Sequence, residues 1–159
     1  MNYQKGVGLI EILASILILA IAVLGFIALQ YRSLDIAAEA LKRVEAINLA
    51  RNLAERIYVN KTAYSDYKSI ATSISTATSC LNTAGCNATA FAAKDLADIK
   101  AQATARGMSI GVDTCPNTTN GRQCIFVAWD VTKAEKGSCT ETDSFVYKAD
   151  AKCVVVEAF

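Results

Sequence analysis

The chain has 159 residues, a formal net charge of +1, 53% hydrophobic residues and no histidine. The missing imidazole excludes Ser-His and Cys-His catalysis and removes the commonest neutral-pH base and metal ligand. Lys and Arg are nowhere clustered, so the charge pattern carries no nucleic-acid footprint, and the length suits one ordinary domain.

The chain begins MNYQKGVGLIE and continues into an apolar stretch. Residues 12–29 carry no charge and are bracketed by Glu11 and Arg32. A secretory signal has a core of about 7–15 apolar residues and a small-x-small cleavage site. Here the run is longer, and Ala20-Ile21-Ala22 lies inside it rather than before a mature start. A membrane-spanning helix needs about 20 apolar residues at about 1.5 Å each, and residues 7–31 supply them. The stretch has no proline, so an unbroken helix is expected; Gly25 lets a neighbouring helix approach closely. Lys5 favours a cytoplasmic amino end, which puts the rest of the chain in an oxidising compartment.

Glu11 stands five residues after Gly6, at the amino edge of the apolar run. A carboxylate at mid-bilayer costs on the order of 3 kcal/mol, and less near the interface. A partner for it arises if the chain is cut between Gly6 and Val7, because the cut creates an α-amine. That amine belongs either to the same chain or to a neighbouring copy. The neighbour's amine is physically attractive, since two charges buried together are tolerable where each alone is costly. Such a contact also sets the axial register of adjacent helices.

G-VGLIE followed by a long apolar run resembles the class III signal of type IV prepilins and type II secretion pseudopilins. The resemblance implies that a membrane peptidase cuts after Gly6, that Val7 becomes the N-methylated first residue, and that Glu11 is the assembly glutamate. Val7 stands where the family often has Phe. The implied partners are prepilin peptidase, the inner-membrane assembly platform, and other minor and major pilins met through the N-terminal helix.

From residue 32 to residue 58 the composition changes but the period does not. Ala40, Val44, Ile47, Ala50, Ala54 and Ile57 recur at helical spacing, and Leu49 and Leu53 widen the face. Charges fill much of the remainder, with Glu39 and Arg43 in the favourable i, i+4 order. One helix over 7–58 is therefore expected, roughly 75–80 Å long. Its second half would carry a sheet.

The stretch 60–78 reads mainly as loop with short helical or 3₁₀ pieces. A second helix is expected over 89–106, with an apolar stripe of Phe91, Leu96, Ile99 and Ala103 and with Gly107 at C′. Strands are expected at 108–113, 123–131, 144–149 and 152–158 from their β-rich composition, with Asp150-Ala151 as a hairpin link between the last two. Trp129, beside Val127 and Val131, reads as core or sheet-face packing.

The six cysteines are Cys80, Cys86, Cys115, Cys124, Cys139 and Cys153. An even number in a small exported domain reads as a disulfide framework, and no pair has the C-x-x-C spacing of a metal or redox site. Local pairing, 80–86, 115–124 and 139–153, is the working expectation.

The expected fold class is α+β: a long N-terminal helix, transmembrane then amphipathic, packed on a small antiparallel sheet. It divides as leader 1–6, membrane or filament-core half 7–31, amphipathic half 32–58 and disulfide-stapled head 59–159. The pilin family has the same layout. Cys80, Cys86 and FAAKDLADIKAQ resemble the type IV pilus modification protein (PilV-like) group of minor pilins, although Ile99 stands where that group often has Trp.

Other chemistry reads weakly. Asp95 and Asp98 share a helix face and are expected to be solvated surface. Asp130, Glu135, Glu141, Asp143 and Asp150 match no EF-hand loop, so no metal and no cofactor is expected. Asn60, Asn87 and Asn117 begin N-x-Ser/Thr triplets.

The expected function is a non-catalytic minor pilin that primes or supports type IV pilus assembly, in twitching motility, adhesion and DNA uptake. By resemblance, the subunit first at the tip tends to lack the glutamate, so a chain with Glu11 sits below another subunit. The alternatives are a minor pseudopilin of a type II secretion system and a membrane-anchored module whose head binds a ligand, DNA or a surface. The expected location is the bacterial inner membrane, as a single-pass protein with a periplasmic head, and then the pilus near its tip.

Overall fold

The computed structural model describes residues 8–72, 80 and 85–158. Helix α1 spans Leu9–Val59, 51 residues without interruption. A 3₁₀ turn, Lys61–Ala63, leads into α2, Tyr64–Thr72, and α3 spans Ala88–Ala105. Strands β1, Met108–Thr114, β2, Gln123–Trp129, and β3, Cys153–Ala158, form one antiparallel sheet in the order β1-β2-β3. The chain divides into two compact units, one ending at Leu41 and the other beginning at Lys42.

In the second unit α1 contributes Ala46, Leu49, Ala50, Leu53, Ala54 and Ile57 to the core. The spacing of three and four keeps them on one helix face. That face begins at Ala46 rather than Ala40: Ala40 and Val44 are exposed, and Ile47 is only half-buried. From Leu49 on, the buried residues Leu49, Ala50, Leu53, Ala54 and Ile57 are those of the expected face; only its start differs, with Ala46 buried in place of Ala40, Val44 and Ile47.

The α1 residues share one buried cluster with Tyr67 of α2, Ala92, Leu96, Ile99 and Ala103 of α3, and Met108, Ile110, Val112, Ile125, Val127 and Trp129 of the sheet. Alternate residues of a strand point to opposite faces. Cys124, Phe126 and Ala128 of β2 therefore face away, into a second cluster with Cys115, Cys139 and Cys153. Part of the 130–151 connection covers that side through Ala134 and Ala151. Every residue of the central strand β2 is buried as a result.

The 89–106 helix is present. The stretch expected to be mainly loop is instead helical from Lys61 to Thr72, because Ala63 and Tyr67 are buried in the core, and 73–78 lie outside the described residues. Asn87 caps α3, its side chain accepting from the Ala90 amide at 2.8 Å, and Gly107 takes φ +68° at the other end. Phe91 does not join the α3 stripe and is 44% exposed; Ala92 is buried instead.

Two strand expectations are corrected. β2 ends at Trp129, because Asp130 turns to φ +62° and leaves Val131 exposed. The 144–149 segment is not a strand, and Asp150-Ala151 is not a strand-to-strand hairpin. One isolated bridge, Thr140 to Tyr147, is made there, flanked by bonds from the Glu141 amide to the Val146 carbonyl and from the Lys148 amide to the Cys139 carbonyl. Phe145, Val146 and Tyr147 are all substantially exposed. With neither side of the segment facing the core, burial does not impose strand alternation.

Candidate assembly site

Along α1 the apolar side chains of residues 9–41 are exposed among the described residues. Leu9, Ile10, Leu17, Leu19, Leu24 and Phe26 are each more than 60% exposed. An 18-residue window of this helix has a mean hydropathy of 3.0 and is 0% buried, so its length and composition suit a membrane span. Covering a large apolar side chain is worth about 1.5–3 kcal/mol, so this stretch strongly favours lipid or other apolar helices over water. Gly25 has no atom within 4 Å of where a Cβ would stand, which leaves room for a close helix neighbour.

Glu11 lies in the first turn of α1, where the helix macrodipole favours a carboxylate. Its amide donates to the Gly8 carbonyl at 2.9 Å, and its own carbonyl accepts from the Ser15 hydroxyl at 2.7 Å. Glu11 is exposed. Gly6 and Val7, the expected cleavage and methylation residues, lie outside the described residues.

The carboxyl end of α1 is pinned to the head by a polar network. Arg56 Nη1 donates to Asp95 Oδ1 at 2.8 Å, and Arg56 Nε donates to Asn52 Oδ1 at 2.9 Å. The Tyr67 hydroxyl donates to Asp95 Oδ2 at 2.8 Å. Asn60 Nδ2 donates to the Ala88 carbonyl at 2.8 Å and lies 3.4 Å from the Tyr67 oxygen. Asp95 is 3% exposed and Tyr67 is fully buried. Burial pushes the Tyr67 phenol well above its usual pKa; the Asn60 bond opposes that rise and the bond to Asp95 adds to it.

Asp95 is therefore not solvated surface. Asp98 remains partly exposed, bridging to Lys94 and standing 3.9 Å from Arg56. A stripe started at Ala92 would have predicted a buried Asp95, because Ala92, Asp95, Ile99 and Ala103 follow helical spacing.

A second charged cluster joins α2, β1 and the 130–151 connection. Lys68 Nζ lies 2.9 Å from Asp113 Oδ1, and Lys136 Nζ lies 3.2 Å from Asp113 Oδ2. Burial alone would raise the Asp113 pKa. The hydrogen bonds from Lys68, the Thr114 amide and Lys136 outweigh it and hold the carboxyl below its ordinary range. Beside it, Gly111 passes under the same connection: a Cβ there would sit 2.3 Å from the Ala134 carbonyl oxygen.

The cysteines form three bridges, Cys80–Cys86, Cys115–Cys124 and Cys139–Cys153. The second closes the loop between β1 and β2, and the third ties the 130–151 connection to the start of β3. Trp129 is buried in the sheet face, 2% exposed. Among the described residues no three His, Cys, Asp or Glu side chains are grouped to hold a metal ion.

Residues 1–27 match the family model described as the prokaryotic N-terminal methylation motif. Residues 28–97 match the one described as Type IV pilin Tt1218. The second match takes in both Arg56 and Asp95. No curated protein and no solved structure matches the chain. The two matches are adjacent and together take in the whole of α1; over those residues the chain is similar to type IV pilins and to the N-terminal prepilin methylation motif.

Proposed function

We propose that this chain is a minor pilin that primes or supports type IV pilus assembly, and thereby twitching motility, adhesion and DNA uptake. One observation carries the reading. Among the described residues the amino-terminal stretch of α1 leaves its apolar side chains exposed, while Ala46, Leu49, Ala50, Leu53, Ala54 and Ile57 of the same helix are buried in the head core. Such a stretch rests stably in lipid or among sister helices, and transfer from one to the other keeps it out of water throughout.

In this reading the subunit waits in the bacterial inner membrane with its head in the periplasm. Prepilin peptidase removes residues 1–6 after Gly6 and methylates Val7. At the assembly platform the helix leaves the bilayer for the filament core, where other minor and major pilins replace lipid. Glu11 then meets the amine of a neighbouring subunit and sets the register, near the tip but below another subunit. A DNA or surface ligand at the head is a further partner class.

The test is a deletion strain scored together for surface pili, twitching, DNA uptake and protein secretion. Loss of pili and twitching with secretion intact supports the proposal. Intact pili with lost secretion overturns it in favour of a type II secretion pseudopilin.

A further inference from the structure

The loop closed by Cys115–Cys124 carries chemistry that neither the core nor the assembly helix uses. Asn120 is exposed and is followed by Gly121. Gly121 has φ +72°, and no atom lies within 4 Å of where its Cβ would stand, so its surroundings are open. Arg122 Nε donates to Asn120 Oδ1 at 3.2 Å. The same guanidinium is anchored through Nη1 on Glu157 Oε1 at 2.7 Å. The loop base is fixed twice, by the disulfide and by the Cys115 amide donating to the Arg122 carbonyl at 2.8 Å. A cation aimed at an amide oxygen stabilises the negative charge that grows there when the carbonyl carbon is attacked.

We propose that Asn120 is a self-modifying site that deamidates through attack by the Gly121 backbone nitrogen. That nitrogen gives its proton to solvent base and bonds to Asn120 Cγ. The Cγ–Nδ2 bond breaks, and the side-chain nitrogen leaves as ammonia, taking up a proton from solvent. The product is a five-membered succinimide ring. Water then opens the ring at either carbonyl, giving aspartate or isoaspartate. The balance is one water consumed and one ammonia released, with no oxidant, reductant or cofactor.

The change takes the formal net charge from +1 to zero. It also sets a new carboxylate beside Arg122 in competition with Glu157, at the end of β3. Asn117, Asn60 and Asn87 are less well placed. Asn117 is exposed at φ +53°, but it precedes the branched Thr118, whose hydroxyl is held on the Cys115 carbonyl at 2.8 Å. Asn60 and Asn87 have their side chains engaged. Asn117 lies in the same loop and serves as the internal control.

The purified full chain in detergent is incubated at neutral pH in water enriched in heavy oxygen, then reduced, digested and sequenced by fragmentation mass spectrometry. The expected result is replacement of the Asn120 amide by a carboxyl carrying one heavy oxygen, as aspartate plus isoaspartate, while Asn117 keeps its amide. Because the attacking nitrogen must lose one proton, the rate rises about tenfold per pH unit. Arg122→Gln, with the Cys115–Cys124 bridge verified intact, slows the conversion severalfold. Persistence of the Asn120 amide for as long as that of Asn117 overturns the proposal, as does an Arg122→Gln chain that converts at the unmodified rate.

Discussion

Arg56 Nη1 stands 2.8 Å from Asp95 Oδ1, joining the last turns of α1 to the middle of α3 across 39 residues of sequence. Asp95 is almost wholly buried, whereas the Arg56 side chain keeps 32% of its surface. The network therefore depends on the guanidinium more than the guanidinium depends on the network. Arg56→Met leaves a buried carboxylate without its cation and is expected to cost about 2–3 kcal/mol. Arg56→Met, Asp95→Leu and Tyr67→Phe together remove every charge and hydroxyl of the trio, and should recover most of that loss. Urea unfolding followed by the single tryptophan, Trp129, measures both.

Tyr67 predicts an alkaline limit. Its folded-state pKa is raised above the unfolded value of 10.0. The stabilisation is therefore complete below that value and is lost as pH rises beyond it. The urea midpoint should fall above about pH 10 in the native chain and fall less in Tyr67→Phe. That variant should also lose about 1 kcal/mol at neutral pH with the Asp95 hydrogen bond.

Asp113 predicts the acid side. Its folded-state pKa lies below the ordinary 3.8. Its contribution is present above that value and is lost as pH falls through the folded pKa. Asp113→Asn should flatten the acid arm of the stability profile and loosen the 130–151 connection that Lys136 anchors. Amide hydrogen exchange across that connection reads the second effect.

The Cys139–Cys153 bridge spans 14 residues and holds an otherwise strandless connection on the outer sheet face. Replacing both cysteines with serine should cost about 3 kcal/mol. Exchange protection should fall first around residues 139–153, with α1 and α3 little changed. Uniform loss of protection across the head would show instead that the bridge holds the whole fold.

The long helix was legible because a charge-free run passes into a helical stripe without Gly or Pro to stop it after Gly25. The three strands were legible from composition, the β-rich segments around Ile110, Val127 and Val155. What escaped depended on distant partners. Asp95 reads as a surface acid until Arg56 and Tyr67 are brought to it from other helices. Residues 144–149 have strand composition, but composition does not show that the core is already closed without them. The Ala46 boundary of the buried face escaped for the same reason: Val44 is as apolar as Ile57, and only the extent of the head decides which of them is covered.

The central claim is that an apolar helix with one carboxylate at its start holds the subunit in a filament. The direct measurement is the share of the chain recovered in sheared filaments from cells carrying Glu11→Ala, with membrane levels compared alongside. The account predicts unchanged membrane insertion and loss from the filament fraction. Wild-type recovery of Glu11→Ala in filaments would contradict it.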